Sequence, residues 1–155
     1  MIKTITAPES YENLEGKFIF LAGTIDNGES EDWQAEVSKY AEGLETTENV
    51  YILNPRRNDW NPNATEKDIE NQIKWELGAL KRSEVIIMNI LESSKSPISL
   101  LEMGLFGKDN PGFYVFCGPG FYRYTNVRVT AEEFGIKHYS DYTTDDIKKL
   151  IKLVV

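Results

Sequence analysis

The chain has 155 residues, 41% of them apolar and 27% charged, and a formal net charge of -8. That length predicts one domain over 1–155, large enough to bury a core without disulfides or metal. A single cysteine, Cys117, and a single histidine, His138, exclude a disulfide framework and a Cys/His zinc site. The negative charge argues against polymeric nucleic acid, whose binding rests on neutralising phosphates with Lys and Arg, and leaves room for a small ligand held by local groups. Met1 to Thr6 carry no long apolar run, so neither a signal peptide nor a membrane span is expected, and the cytoplasm is the default compartment.

Strand and helix signals then alternate along the chain, with no repeat and no low-complexity tract. Residues 1–16 read as a polar lead-in able to contribute an edge element. Lys17 to Ala22 is the first strand and runs into the turn Gly23-Thr24-Ile25-Asp26-Asn27-Gly28. Ser30 is placed to cap a helix reaching about Leu44, with Trp33, Val37, Tyr40 and Leu44 at helical spacing. Val50 to Leu53 is a second strand stopped by Asn54-Pro55, and the aperiodic stretch from Arg56 to Ala64 is a long loop of the kind that often carries function. Thr65 opens the next helix with Asp68 in capping-box position; Ile69, Ile73, Leu77 and Leu80 form its apolar stripe, and Glu76 stands at the rim of that stripe.

Val85 to Ile90 is the most apolar short run and reads as a buried parallel strand. Ser96 follows as the expected N-cap of a helix, with Pro97 at its first position. At about 100° per residue, Ile98, Leu101, Leu105 and Phe106 share one face, and Glu102 falls inside that apolar arc. A carboxylate on a packing face needs a partner or a job; the alternative is a partly exposed glutamate at the edge of the packed face. Phe113 to Cys117 is a fourth strand ended by Gly118-Pro119-Gly120. Val127 to Phe134 is a short helix closed by Gly135, Lys137 to Tyr139 a fifth, edge strand, and Thr143 the start of the last helix.

Strands separated by helices predict a flavodoxin-like, mostly parallel five-stranded sheet covered on both faces, with its ligand site beyond the carboxyl ends of the strands. Gly23 to Asp26, Asn54 to Arg57, Glu92 to Ser96 and Gly118 to Asn126 collect there. The first turn lacks GxGxxG spacing, and no GxxxxGK[ST] is present, so the dinucleotide and P-loop motifs both fail. His138 lies late on an edge strand and Cys117 ends a buried one, which disfavours both as catalytic groups. Carboxylates remain: Glu102 first, with Glu76 and Asp26 as companions. A carboxylate nucleophile with a second acidic group is the working unit of retaining glycosyl transfer.

Leu21-Ala22-Gly23-Thr24, Gln72-Ile73-Lys74-Trp75-Glu76, Ser96-Pro97-Ile98-Ser99-Leu100-Leu101-Glu102-Met103-Gly104 and Cys117 to Arg123 with Asn126-Val127 resemble the nucleoside 2-deoxyribosyltransferase-like family, which includes 2-deoxynucleoside 5-monophosphate N-hydrolases. The likeness runs from about Lys17 to Tyr139. It implies that Glu102 attacks C1 of a deoxyribose, displaces the base and forms a glycosyl ester, and that Glu76 helps hold the nucleoside. It further implies that Gly23 and Thr24 shape the sugar site and that Ser96 meets the 5 end of the sugar. Asp26, Asn54, Arg56, Arg123 and Asn126 complete the expected binding set, with Asn126 or Arg123 acting across a homodimer or larger homo-oligomer. Ile19 and Phe20 stand where the family usually places a tyrosine. No metal or other cofactor is called for. The expected reaction is transfer of a deoxyribosyl group between bases; the alternatives are hydrolysis of a nucleoside 5-monophosphate and a non-catalytic nucleotide-binding module.

Overall fold

Val85 to Ile90 are buried at every position, and the strand they form is the centre of the sheet. In the computed structural model, which describes residues 1–26, 29–59 and 61–155, six parallel strands are hydrogen-bonded in one sheet. They are β1 (Ile2–Thr6), β2 (Lys17–Gly23), β3 (Val50–Asn54), β4 (Val85–Ile90), β5 (Phe113–Cys117) and β6 (Lys137–Tyr139). The helices are α1 (Trp33–Glu42), α2 (Glu66–Arg82), α3 (Pro97–Phe106), α4 (Tyr124–Phe134) and α5 (Thr144–Val154). The spatial order is β1-β3-β2-β4-β5-β6. The sheet thus has one strand more than the expected five, because Ile2 to Thr6 of the lead-in pair in register with Val50 to Asn54. Asn27 and Gly28 of the first turn, and Trp60 of the long loop, lie outside the described residues.

From β2 the chain moves outward to β3, and from β4 it moves the other way to β5, so the winding reverses between β2 and β4. A crevice opens at such a switch point beyond the carboxyl ends of the strands. On one face of the sheet, Trp33, Val37 and Ala41 of α1 and Ile147 and Ile151 of α5 pack on Ile19, Leu21, Ile52 and Ile87. On the other, Leu80 of α2, Met103 of α3 and Val127 and Ala131 of α4 pack on Phe20, Leu53, Ile86 and Met88.

Several local expectations hold. Thr65 and Asp68 form a reciprocal capping box at the start of α2, and Gly135 closes α4 in the left-handed conformation at φ 67°. Others are corrected. Asp32, not Ser30, caps α1 by accepting from the Ala35 N–H at 3.0 Å, and Gly43 ends that helix before Leu44. The helix expected at Val127 begins at Tyr124. Ile98, Leu101 and Leu105 do not form the packing face of α3: they are 59%, 57% and 53% exposed, whereas Ser99, Glu102 and Met103 are the buried face. In α2, Ile69 and Ile73 likewise face outward and burial is confined to Ala79 and Leu80. Periodicity detects an apolar stripe but not which side of the helix meets the sheet.

Gly23 ends β2 at φ 127°, a region L side chains rarely enter, and a Cβ built there would lie 2.1 Å from the Asn89 carbonyl oxygen. Both obstacles belong to backbone. Gly23→Ala is expected to lower stability by roughly 2 kcal/mol or more, checked by denaturant unfolding; an unchanged midpoint would refute the tight β2–β4 approach.

Candidate functional site

Where β2 and β4 end, backbone and hydroxyl groups tie two loops together. The Thr24 N–H donates to the Asn89 carbonyl at 3.0 Å, and Thr24 Oγ1 accepts from the Leu91 N–H at 3.0 Å. Ser94 Oγ donates to the Leu91 carbonyl at 2.7 Å. Thr24, Ser94 and Ser96 then close a triangle of hydroxyls, with Thr24–Ser94 at 3.0 Å and the contacts Thr24–Ser96 and Ser94–Ser96 both at 2.7 Å. All three residues are buried.

Ser96 is the residue before α3, but it does not cap the helix with its side chain. Its backbone is left-handed at φ 43°, where a capping serine would be extended, and its hydroxyl points into the triangle instead. The first turn of α3 is consequently without a side-chain cap. Sequence reasoning missed Ser94. The signal was the polar run Ser93-Ser94-Lys95-Ser96 directly after a buried strand, in which only Ser96 stood out beside Pro97.

Glu102 sits on the inner face of α3, 7% exposed, and its Oε2 is buried with no hydrogen-bond partner. Burial, together with the nearby Glu76 carboxyl, pushes its pKa up to about 8. Glu76 on α2 is raised by burial to about 7. Two carboxyls held close in apolar surroundings cannot both ionise cheaply, so the pair retains protons at neutral pH that exposed glutamates would lose. Side chains on a helix lean toward its N-terminus, which directs the Glu102 carboxyl toward the Ser96 end of α3.

The remaining predicted residues divide. Asp26, at φ 49°, lines a cavity of about 900 Å³ between the β2–α1 and β4–α3 loops, together with Glu29, Glu31, Glu92, Ser94 and Lys95. Glu76 and Glu102 do not line it. Asn54 Oδ1 accepts from the Arg56 N–H at 2.9 Å. The buried Arg56 guanidinium donates to Ser30 Oγ and to the carbonyls of Ser30 and Glu31, and lies 3.7 Å from Asp32 Oδ2. Arg56 thus holds the β2–α1 loop from inside. Arg57 is exposed and makes two 2.9 Å bonds to Asp59. Arg123 and Asn126 stand exposed at the start of α4, beyond β5, with the Arg123 guanidinium over the Tyr122 ring.

Glu92 extends over the turn after β5: a Cβ at Gly118 would lie 2.0 Å from Glu92 Oε1, and one at Gly120 would lie 2.1 Å from Oε2. Cys117 is buried, with its thiol pushed up to about 12 chiefly by desolvation, and His138 Nε2 is 2.9 Å from its carbonyl. Tyr142, its phenol raised by burial, donates to Asn89 Oδ1 at 2.7 Å and fixes the side chain of the residue whose carbonyl holds Thr24. No group of His, Cys, Asp and Glu able to hold a metal ion occurs among the described residues, and no described helix is long and apolar enough to cross a membrane.

The raised glutamates make stability depend on pH with a definite sign. Between the ordinary glutamate value and about 7 to 8, the folded chain keeps protons that the unfolded chain releases. Stability therefore falls as pH rises through that window, by about 1.4 kcal/mol per pH unit for each retained proton. Glu102→Gln removes one such group. It should unfold near the wild-type temperature at about pH 5 and above it at about pH 8, as read by thermal denaturation. Parallel pH profiles for the two proteins would show that Glu102 is not held in its neutral form.

The comparisons with known proteins bear on this arrangement. A search of curated proteins returns no match. A family model described as nucleoside 2-deoxyribosyltransferase like matches residues 16–121, from the start of β2 to the turn that precedes α4. That span holds Gly23, Thr24, Glu76, Ser96 and Glu102, and it covers well over half of the chain. The chain belongs to the nucleoside 2-deoxyribosyltransferase-like family.

Proposed function

We propose that this protein cleaves the N-glycosidic bond of a 2-deoxynucleoside and transfers the deoxyribosyl group to a second base through an ester on Glu102. The observation that carries the reading is the buried, unpartnered Oε2 of Glu102 beside a second carboxyl, Glu76. An oxygen with no donor to quench it is a competent nucleophile once ionised. In the first step a Glu102 oxygen bonds to C1 of the sugar, and the bonding pair of the N-glycosidic bond leaves with the base, which takes up a proton. In the second, a nitrogen of the incoming base attacks C1 and restores the carboxylate.

Charge explains why ionisation waits for substrate. The transition state is oxocarbenium-like, and positive charge growing at C1 favours the carboxylate that burial disfavours in the empty site. Glu76 holds the sugar and shares in that stabilisation without bonding to C1. Gly23, Thr24 and Asp26 shape the sugar and base site, and Arg56 with Asn54 keeps its loop in place. A second reading, hydrolysis of a nucleoside 5-monophosphate, is favoured by one observation: the first turn of α3 has no side-chain cap, and such N–H groups suit an anion.

The reading includes association with further copies of the chain, bringing Arg123 or Asn126 of a neighbour to the site. Ile98, Leu101 and Leu105 on α3, and Ile69 and Ile73 on α2, leave exposed apolar ridges on the same side of the sheet as the glutamates. Sedimentation should show a dimer or larger assembly, and Leu101→Glu should shift it toward the monomer; a wild-type monomer at micromolar concentration would remove this part.

Turnover is tested directly. Glu102→Gln should fold and lose base release by about a thousandfold or more, while Glu76→Ala should lose less. A 2-fluoro-2-deoxynucleoside should leave a mass adduct on the peptide containing Glu102. Base release by Glu102→Gln at the wild-type rate would end the proposal.

A further inference from the structure

The protons of the hydroxyl triangle say what kind of group it can receive. Each hydroxyl owns one proton and can accept at two lone pairs. The Ser94 proton is committed to the Leu91 carbonyl at 2.7 Å. Only the protons of Thr24 and Ser96 remain for the three oxygen–oxygen contacts within the triangle. One assignment uses both and leaves the longest contact, Thr24–Ser94 at 3.0 Å, without a proton. It runs from the Leu91 N–H to Thr24, on to Ser96, to Ser94 and back to the Leu91 carbonyl, a circuit that starts and ends on one residue. In any assignment that keeps these contacts, both protons stay inside. The triangle therefore presents lone pairs and no donor.

The cavity alongside has the same preference. Asp26, Glu29, Glu31 and Glu92 line it, with Lys95 as the one cation among its described lining residues. The arginines that could have clamped a phosphate are engaged: Arg56 with the Ser30–Asp32 segment and Arg57 with Asp59. Lys95 and the uncapped start of α3 draw an anion; four carboxylates and a donor-free triangle oppose it. A 5-phosphate carries close to two negative charges and has only acceptors to offer. A free 5-hydroxyl has a proton to give.

We propose that Ser94 is a specificity-determining residue: by drawing the Ser96 hydroxyl into the triangle it makes this corner an acceptor, which selects an unphosphorylated 2-deoxynucleoside through its 5-hydroxyl. The inference rests on the deoxyribosyl-transfer reading above and names the substrate class of the same site. Removing the Ser94 hydroxyl releases one internal contact and lets a serine or threonine proton turn outward, so Ser94→Ala opens the corner to phosphate. Thr24→Val, which removes both a donor and the acceptor of the Leu91 N–H, acts in the same direction through Ser96.

Binding decides the matter independently of chemistry. The four common 2-deoxynucleosides and their 5-monophosphates are titrated calorimetrically into the wild-type protein and into Ser94→Ala, at low and at moderate salt. The wild type is expected to bind at least one deoxynucleoside about tenfold or more tighter than its monophosphate, and Ser94→Ala to shrink that ratio about tenfold. Rescue follows in Ser94→Thr, which restores a hydroxyl and should restore the ratio. Equal or tighter binding of the monophosphate by the wild type, no binding of any deoxynucleoside, or an unchanged ratio in a folded Ser94→Ala overturns the inference. Base release measured on the same samples keeps the two readings apart. A nucleoside preference with no base release defeats the transfer reaction alone, and base release with a monophosphate preference defeats the role of Ser94 alone.

Discussion

The bond between Thr24 and Leu91 governs the geometry of the site. Parallel strands that wind in opposite directions diverge at their carboxyl ends, and nothing in the sheet itself fixes how far apart the two loops stand. Thr24 supplies the missing constraint with three groups: its N–H to Asn89, its hydroxyl oxygen to the Leu91 N–H, and its carbonyl facing Trp33 Nε1 and Gln34 Nε2 at 3.4 Å. One residue thereby joins the end of β2, the end of β4 and the first turn of α1. From Leu91 the chain has only a few residues before α3 begins, so the position of Glu102 is inherited from that tie.

Glu102 itself is held against its own solvation. Removing a carboxyl from water without giving it a donor costs stability, and the cost shows as retained protons on both Glu102 and Glu76. Such an arrangement survives because the rest of the core, including Trp33, Phe20, Leu53 and Ile87, is fully packed on both faces of the sheet. The strained backbone of Ser96 and Asp26 belongs to the same pattern, since both left-handed non-glycine residues lie on the two loops that frame the crevice.

Much of this was legible in the sequence. Continuous apolar runs marked β2, β3, β4 and β5, and Thr65 with Asp68 marked the start of α2, because burial on both faces and reciprocal capping are local signals. The lead-in strand was not, since alternation over Ile2 to Thr6 is short and its partner, β3, lies over forty residues away. The inward position of Glu102 was read for a reason that proved incomplete. The stripe of Ile98, Leu101 and Leu105 was taken to mark the packed face, yet the buried side carries Ser99, Glu102 and Met103 and the stripe faces out. Helical period fixes which residues lie together; only the neighbouring elements decide where they look. The hydroxyl triangle was out of reach altogether, because Thr24 and Ser94 are 70 residues apart and meet only through the sheet.

Glycines can be required for opposite reasons, and Gly118 and Gly120 differ from Gly23 in this respect. At Gly23 a side chain would strike main chain, which has nowhere to go. At Gly118 and Gly120 it would strike the carboxylate of Glu92, the far end of a flexible, exposed side chain. The freedom of positions 118 and 120 to vary is therefore conditional on what stands at position 92. With glutamate there, each glycine is a seat; with a shorter residue there, both become ordinary positions. Substitutions at these three sites should be non-additive in any variant library, and an alanine introduced at either glycine would act at a distance, steering a negative charge across the mouth of the crevice without touching the backbone beneath it.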